Sequence, residues 1–181
     1  MRRMPTFGQP NKPIMLWAIL SAALCAAAAA PGDMMPAIKA ESLAKAKLTW
    51  PADFSAERNV LLISFGRDMQ AEVDAWDAAL APLASDGAVA VFNTPLIPNP
   101  GAIVRGFITG GMRGIYKDAA ARARVIPLFV DEDEVFPKLG VTDRSSPLIV
   151  VYARDGREIG RHQGKMSEAG TAEIERLVRQ L

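Results

Sequence analysis

The sequence contains almost no cysteine or histidine, two residues that many enzymes use for chemistry. Its 181 residues include one cysteine, Cys25, and one histidine, His162. A single cysteine excludes an intrachain disulfide and a four-cysteine zinc site, and a single histidine excludes a metal site built on a histidine pair. The 21 basic and 20 acidic side chains nearly balance, so the chain lacks the basic excess typical of nucleic-acid-binding proteins. We therefore expect no metal, no cofactor and no nucleic-acid partner.

What remains is the composition of an ordinary globular protein. Half of the residues are apolar and 23% are charged. A chain of this length can bury a sizeable core, and no repeated or low-complexity tract interrupts it. We expect one folded domain after a short N-terminal segment.

Residues 1–30 have the layout of a secretory signal peptide. Three basic residues precede an apolar run at 14–24, and an alanine stretch at 26–30 follows. The 17 residues from 14 to 30 are short for a membrane crossing. We expect a protein exported to the periplasm or secreted, with a membrane anchor as the alternative if the segment is not cleaved.

Cleavage near Ala30 would leave a domain without any thiol. It would remove Cys25 together with Arg2, Arg3 and Lys12. The remaining domain would contain 18 of the 21 basic residues and all 20 acidic residues. An exported domain without cysteine forms no disulfide and has no thiolate nucleophile.

Strands and helices alternate along the rest of the chain. Residues 31–47 are expected to be a linker, followed by a domain at 48–181. Continuous apolar, β-branched runs predict buried strands, and apolar residues at spacings of three and four predict amphipathic helices. In chain order, the pattern predicts a strand at 59–65, a helix at 69–83, a strand at 88–92, a helical segment at 102–124, a strand at 125–130, a short helix after 131, strands at 148–153 and 158–162, and a helix from Ser167. Gly110 and Gly111 interrupt the segment at 102–124, which therefore forms two helices or one bent helix.

Four consecutive acids at 131–134 resemble a metal site. Acids at the start of a helix are, however, stabilised by the helix dipole, and no other ligand cluster accompanies these four. We interpret them as a helix start with Asp133 as the N-cap and Gly140 just past the end of the helix.

Two tryptophans and the histidine are expected in different environments. Trp76 lies at helical spacing with Val73 and Leu80 and is predicted to belong to the core. Trp50 has no periodic partner and is predicted to be exposed. His162 has no serine, cysteine or carboxylate at a recognisable motif spacing, so we interpret it as a surface or edge residue and not as a base.

The order of elements resembles the thioredoxin fold. A strand–helix–strand half is followed by a further helix, then by Ser146–Pro147, a hairpin with a turn at Asp155–Gly156, and a closing helix. The resemblance covers residues 48–181 and implies a three-layer α/β/α architecture with a central mixed sheet. The extra helical segment after the second central strand resembles the peroxiredoxin-like branch. The resemblance also implies a cis Ser146–Pro147 bond that faces the active site.

The chain departs from this family at the reactive position. Cys-x-x-Cys or a single peroxidatic cysteine belongs at the end of the first central strand, where this chain has Phe-Gly-Arg-Asp-Met-Gln at 65–70. Thiol exchange and peroxide reduction need a thiolate, so these activities are not carried over. The phrase at 65–68, Trp76, Val151–Tyr152 and the later Arg157 and Gly164 are similar to the mitochondrial ATP-synthase assembly factor family.

The candidate site is a polar binding rim at this degenerate active site. It consists of Arg67, Asp68, Gln70, Ser146 and Pro147. The start of a helix favours anions, which a rim of this kind would use. Asp68 has a second interpretation, in which it only caps the helix that begins near Met69.

A basic segment is the second candidate for binding. Residues 101–124 contain Arg105, Arg113 and Lys117 beside several apolar residues. The segment would suit an anionic membrane surface or a partner-binding lid. The alternative is a helix packed on the sheet with its basic face in solvent.

These observations favour a binding protein over an enzyme. We expect an exported, non-redox thioredoxin-like domain with a protein-binding, assembly-factor or chaperone-like role at a membrane complex. A thiol-dependent oxidoreductase of the peroxiredoxin kind, which only Cys25 would serve, and a small-molecule binder are the alternatives.

Overall fold

The computed structural model describes residues 32–180, and the predicted signal peptide lies outside them. The strands are β1 (Ile38–Glu41), β2 (Lys47–Trp50), β3 (Arg58–Ser64), β4 (Val89–Pro98), β5 (Leu128–Val130), β6 (Leu148–Ala153) and β7 (Glu158–Gln163). The α-helices are α1 (Gln70–Leu80), α2 (Ala102–Ile115), α3 (Ala119–Arg124), α4 (Glu132–Lys138) and α5 (Glu168–Val178). No helix among these residues is long and apolar enough to cross a membrane.

The centre of the molecule is a mixed five-stranded sheet in the order β5-β4-β3-β6-β7. The strands β3, β4 and β5 run parallel, while β6 is antiparallel to both β3 and β7. Strand β3 is buried along nearly its whole length because its apolar residues meet covered surfaces on both sides. The turn at Asp155–Gly156 joins β6 to β7 as predicted, with Gly156 at φ +89°.

The two faces of the sheet carry separate cores. On one face Val60 and Leu62 pack with apolar residues of α1 and α5, including Trp76 and Ile174. On the other face Leu61 packs in a cluster that also contains residues of α4 and of the β1–β2 region. The alternation of side chains along β3 thus produces the three layers.

A β-hairpin replaces most of the predicted linker. Strands β1 and β2 form an antiparallel pair in which Ile38 is opposite Trp50. Trp50 is 1% exposed, with its ring centroid 5.5 Å from that of Phe54 and 5.3 Å from that of Phe92. The expectation that Trp50 is exposed was wrong, because periodicity within one segment does not reveal an aromatic cluster built from distant segments.

The predicted helical segment at 102–124 is two helices, α2 and α3. Strand β4 is longer than predicted, since it continues through Pro95 to Pro98. The start of α4 was misplaced by two residues, because the side chain of Asp131, and not of Asp133, accepts the capping hydrogen bond. Gly140 follows the end of α4 at φ +61°, as predicted.

The predicted cis Ser146–Pro147 bond was wrong. Within residues 32–180 the cis peptide bond is Trp50–Pro51. Proline makes the cis form accessible at either place, so local sequence does not decide between them. Pro147 is buried at the start of β6, and its carbonyl accepts a hydrogen bond from the backbone N–H of Gly164 at 3.0 Å.

Candidate functional site

The parallel strands β3 and β4 end at the same edge of the sheet, and the chain turns there into α1 and α2. Register pairs Ser64 with Pro95, so residues 65–67 leave β3 beside the last residues of β4. A 3₁₀ turn at Arg67–Met69 then leads into α1. The carboxyl ends of parallel strands are a common place for ligand sites in α/β proteins.

An apolar cavity of about 420 Å³ lies between this edge and α2. Most of its wall comes from Phe65, Leu96, Pro98, Ile108, Met112 and Ile115. The polar groups at the cavity are fewer and include Arg67, Gln70 and Tyr116. A mainly apolar wall with a few polar groups is the usual character of a binding pocket.

The hydroxyl of Tyr116 is held at the cavity by two amides. Gln70 Nε2 donates to it at 3.0 Å and Asn93 Nδ2 donates at 3.1 Å. Gln70 Nε2 also donates to Asp74 Oδ1 at 2.7 Å. Burial, reinforced by the negative charge of Asp74, raises the pKa of Tyr116 above its ordinary value, although the hydrogen bond from Gln70 acts in the opposite direction. The phenol is therefore a neutral, oriented group at neutral pH.

Two of the five predicted rim residues line this cavity. Arg67 and Gln70 do so, whereas Asp68, Ser146 and Pro147 are not part of its wall. Ile63 pairs with Leu148, which places Pro147, the residue just before β6, near the same edge of the sheet. The carbonyls of Ser146 and Pro147 accept hydrogen bonds from Gln163 Nε2 at 2.6 and 3.1 Å.

The capping interpretation of Asp68 was wrong. Helix α1 begins at Gln70, its N-cap is Met69, and no side chain there accepts a capping hydrogen bond. Asp68 lies instead in the exposed 3₁₀ turn, where its Oδ1 would be only 2.4 Å from a Cβ placed on Gly66. A side chain at position 66 would therefore displace Asp68.

The orientation of α2 differs from the expected one, in which the basic face of the helix would be in solvent. Helix α2 buries none of its residues, and Ile103 and Phe107 are 79% and 78% exposed. Arg113 instead contacts the rest of the protein: its Nε donates to the carbonyl of Leu43 at 2.8 Å, and its Nη2 lies 3.6 Å from Glu41. The hairpin that sequence reasoning missed supplies both partners, which is why the orientation of α2 was not foreseen.

The other cations of the segment have different roles. Arg122 of α3 caps the C-terminal end of α2, because its guanidinium donates to the carbonyls of Arg113 and Tyr116. Arg124 pairs with Asp77 of α1 at 2.8 Å. Lys117 is exposed in the loop between α2 and α3, and no hydrogen bond or ion pair joins it to another described residue.

The histidine has a carboxylate partner that its sequence neighbourhood did not reveal. His162 Nδ1 lies 2.8 Å from Glu173 Oε2 of α5, and the ring packs edge-on against Trp76 at 5.4 Å. Trp76 Nε1 in turn donates to the carbonyl of Gly164 at 3.1 Å. These contacts attach α5 to the sheet, and no nucleophilic side chain is joined to the pair by a hydrogen bond within residues 32–180.

The described residues contain no group of three or more histidine, cysteine or acidic side chains placed to hold a metal ion. The acids at the start of α4 are explained by their surroundings. Asp131 caps the helix, Glu132 pairs with Arg144 at 3.1 Å, and Glu134 pairs with Lys138 at 2.8 Å. The helix-start interpretation accounts for these three acids without a ligand.

Several solved structures resemble this one, and three of them are a thiol:disulfide interchange protein, a domain of a thiol-disulfide oxidoreductase and a thioredoxin. A thiol:disulfide interchange protein from Bacteroides sp. has a TM-score of 0.59 and 12% identity, over 84% of this chain and 92% of that chain. The thioredoxin domain of a thiol-disulfide oxidoreductase from Bacteroides vulgatus has a TM-score of 0.59 and 13% identity, over 83% and 99%. The exposed lipoprotein thioredoxin of Streptococcus pneumoniae has a TM-score of 0.56 and 15% identity, over 81% and 100%.

The protein therefore has the thioredoxin-like α/β fold, as predicted from the order of its elements. No protein-family model and no curated protein matches the chain. This chain has no cysteine in the stretch at 65–70, and residues of that stretch line the apolar cavity beside α2.

Proposed function

We propose that this protein is an exported, non-redox thioredoxin-like domain that binds a polypeptide partner, in an assembly-factor or chaperone-like role at a membrane complex. The observation that carries the proposal is the cavity of about 420 Å³ at the end of β3. The resemblance to thioredoxins puts a reactive thiol there, whereas this chain has Arg67, Gln70 and an apolar wall. A site of this composition suits binding and offers no nucleophile.

The cavity suits an apolar side chain of an extended polypeptide. Burying one leucine or phenylalanine side chain contributes about 1.5–3 kcal/mol. Arg67 at the cavity is exposed, and its guanidinium makes no hydrogen bond or ion pair with another described residue, so the guanidinium is free to meet a carboxylate beside that side chain. Ile103 and Phe107 are exposed on α2, the helix that supplies part of the cavity wall, and add apolar surface to it.

A matched pair of substitutions on α2 tests this proposal. Gly111 lines the cavity and Gly110 does not, while a Cβ at either position meets no atom within 4 Å. Gly111→Leu should therefore fill the cavity, and Gly110→Leu should add the same side chain outside it. Short fluorescent peptides with a leucine or phenylalanine next to a glutamate provide the probe, and fluorescence anisotropy provides the affinity.

We expect Gly111→Leu to weaken peptide binding about tenfold or more, because the apolar side chain loses its site. Gly110→Leu should bind as the original protein does. Equal binding by both variants, or no binding of any peptide by the original protein, would contradict the proposal.

The volume of the cavity also favours a second candidate, a small-molecule binder, because drug-sized ligands occupy cavities of about 300–1,000 Å³. This candidate would be favoured if the protein binds an apolar fluorescent dye but no peptide, and if Gly111→Leu weakens binding of the dye.

The remaining alternative is a thiol-dependent oxidoreductase, and it depends on Cys25. Intact mass after thiol alkylation of the exported protein decides it. If the mass corresponds to a chain that starts near Pro31 and carries no alkyl group, this alternative is removed. If Cys25 is retained, the alternative stays open, and the uncleaved N-terminal segment is interpreted as a membrane anchor.

A further inference from the structure

A second cleft, of about 480 Å³, also borders α2, and none of its lining residues lines the apolar cavity. It is bounded by α2, by the hairpin of β1 and β2, and by the edge strand β5. Four cations line it, Lys39 and Lys47 from the hairpin and Arg105 and Arg113 from α2, together with one carboxylate, Glu41. We call this the basic cleft.

Three of the four cations of the basic cleft have no carboxylate partner among residues 32–180. Glu41 is engaged by Arg113 at 3.6 Å. Within residues 32–180 no carboxylate lies at ion-pair distance from Lys39, Lys47 or Arg105. Residues 32–180 contain all 20 acidic residues of the chain. They contain only 18 of its 21 basic residues, because three basic residues lie within residues 1–31. Gathering like charges on such a domain raises its electrostatic energy, which an anionic ligand would lower.

The two arginines are held in place before any ligand arrives. The guanidinium of Arg105 lies over the ring of Phe129, 5.8 Å from its centroid, which orients it without using its N–H groups. Arg113 is fixed by the hydrogen bond from its Nε to the carbonyl of Leu43 at 2.8 Å. A preorganised guanidinium loses little conformational entropy when it binds an oxyanion.

We infer that the basic cleft binds a phosphate group, through the ammonium groups of Lys39 and Lys47 and the guanidinium groups of Arg105 and Arg113. Phosphate oxygens accept the charge-assisted hydrogen bonds that both kinds of side chain donate. A free phosphomonoester and the headgroup of an anionic phospholipid share this chemistry. The exposed Phe107 on the outer face of α2 is where acyl chains would contact the protein in the second case.

The inference is independent of the proposed peptide site, because no residue lines both the basic cleft and the apolar cavity. Gly111→Leu, which fills the apolar cavity, should leave phosphate binding unchanged. The double variant Lys39→Gln/Arg105→Gln should leave peptide binding unchanged.

Binding to the full chain is measured with two probes. The first is glycerol 1-phosphate, followed by isothermal titration calorimetry. The second is flotation with vesicles of phosphatidylglycerol, compared with vesicles of phosphatidylcholine. The control is Lys117→Gln, which removes a cation of the same basic segment that does not line the cleft. Any membrane affinity of the N-terminal apolar run is common to all variants.

We expect Lys39→Gln/Arg105→Gln to weaken binding of the effective probe about tenfold or more, and Lys117→Gln to change it less than twofold. Binding should also weaken with rising salt, because the contacts are between charges near solvent. Saturable binding of glycerol 1-phosphate identifies a free phosphomonoester as the source. Selective flotation with phosphatidylglycerol alone identifies a lipid headgroup. The inference is overturned if neither probe binds, or if the cleft variant and the Lys117 variant lose binding equally.

Discussion

The helices α2 and α5 are both amphipathic, yet only α5 is packed into the protein. Helix α5 is capped by the side chain of Ser167 and buries Gly170, Ile174 and Leu177. Helix α2 has no side-chain cap and buries none of its residues. Amphipathic periodicity therefore predicts a helix but does not tell which way its apolar face points.

The glycines of the two helices have different surroundings, crowded in α5 and open in α2. A Cβ at Gly170 would lie 2.8 Å from His162 Nε2 and 2.9 Å from Trp76 Cη2, so the absence of a side chain lets α5 approach the sheet. At Gly110 and Gly111 of α2 a Cβ meets no atom within 4 Å. No packing contact within residues 32–180 therefore explains the glycines of α2.

The largest expected contrast is between apolar side chains on the two helices. Ile174 of α5 is 0% exposed, and Ile174→Ala should cost about 2–5 kcal/mol because it removes buried surface and leaves a cavity. Phe107 of α2 is 78% exposed, and Phe107→Ala should change stability by less than about 0.5 kcal/mol. Denaturant unfolding measures both. A large loss for Phe107→Ala would mean that α2 is packed more tightly than the structure indicates.

The two glycine positions should respond with opposite signs to the same substitution. Gly170→Ala should destabilise by about 1–3 kcal/mol, because the new methyl group overlaps Trp76 and the ring that Glu173 holds. Gly110→Ala should stabilise by about 0.5–1 kcal/mol, since alanine favours the helix and the space is open. Thermal unfolding compares the pair, and equal signs would remove the contrast between the helices.

The smallest expected effect concerns the only two tyrosines of the chain. Burial raises the pKa of Tyr116, next to the end of α2, and burial followed by the charge of Glu158 raises the pKa of Tyr152 much further. Because the protonated forms are favoured in the fold, their stabilising contribution is present below pH 10 and is lost as the pH rises through the folded pKa values. Absorbance titration should show both phenols ionising above the ordinary tyrosine range.

Tyr116→Phe assigns the two ionisations. The variant should lose the earlier one and keep the later one. Ionisation of both tyrosines at the ordinary pKa in the folded protein would contradict the burial of Tyr152 within the core.

The sequence was sufficient to predict the elements with strong local signals. The buried strand at 59–65, the hairpin around Asp155–Gly156 and the helix capped by Ser167 were all expected, because periodicity and turn residues act over short distances. Their order was enough to predict the thioredoxin-like fold. The strands β1 and β2 were missed, since each has only four residues and a mixed apolar and charged composition.

The candidate site was predicted only in part. Arg67 and Gln70, which the resemblance indicated as rim residues, line the cavity, and their role in binding stays a prediction. The apolar wall was not foreseen, since Ile108 and Met112 of α2 meet Phe65 only after the chain has folded. Lys39 and Lys47 were not considered, because nothing local connects them with Arg105 across more than fifty residues of sequence.

The sequence by itself determined which chemistry is excluded and which fold forms. One cysteine and one histidine exclude an intrachain cysteine pair and a metal site built on a histidine pair, and local patterns set the alternation of strands and helices. Only the tertiary structure decided the orientation of α2, because that depends on long-range contacts from Arg113 to Leu43 and from Arg105 to Phe129. These contacts hold the two arginines at the basic cleft, while Ile108 and Met112 line the apolar cavity and Ile103 and Phe107 remain exposed.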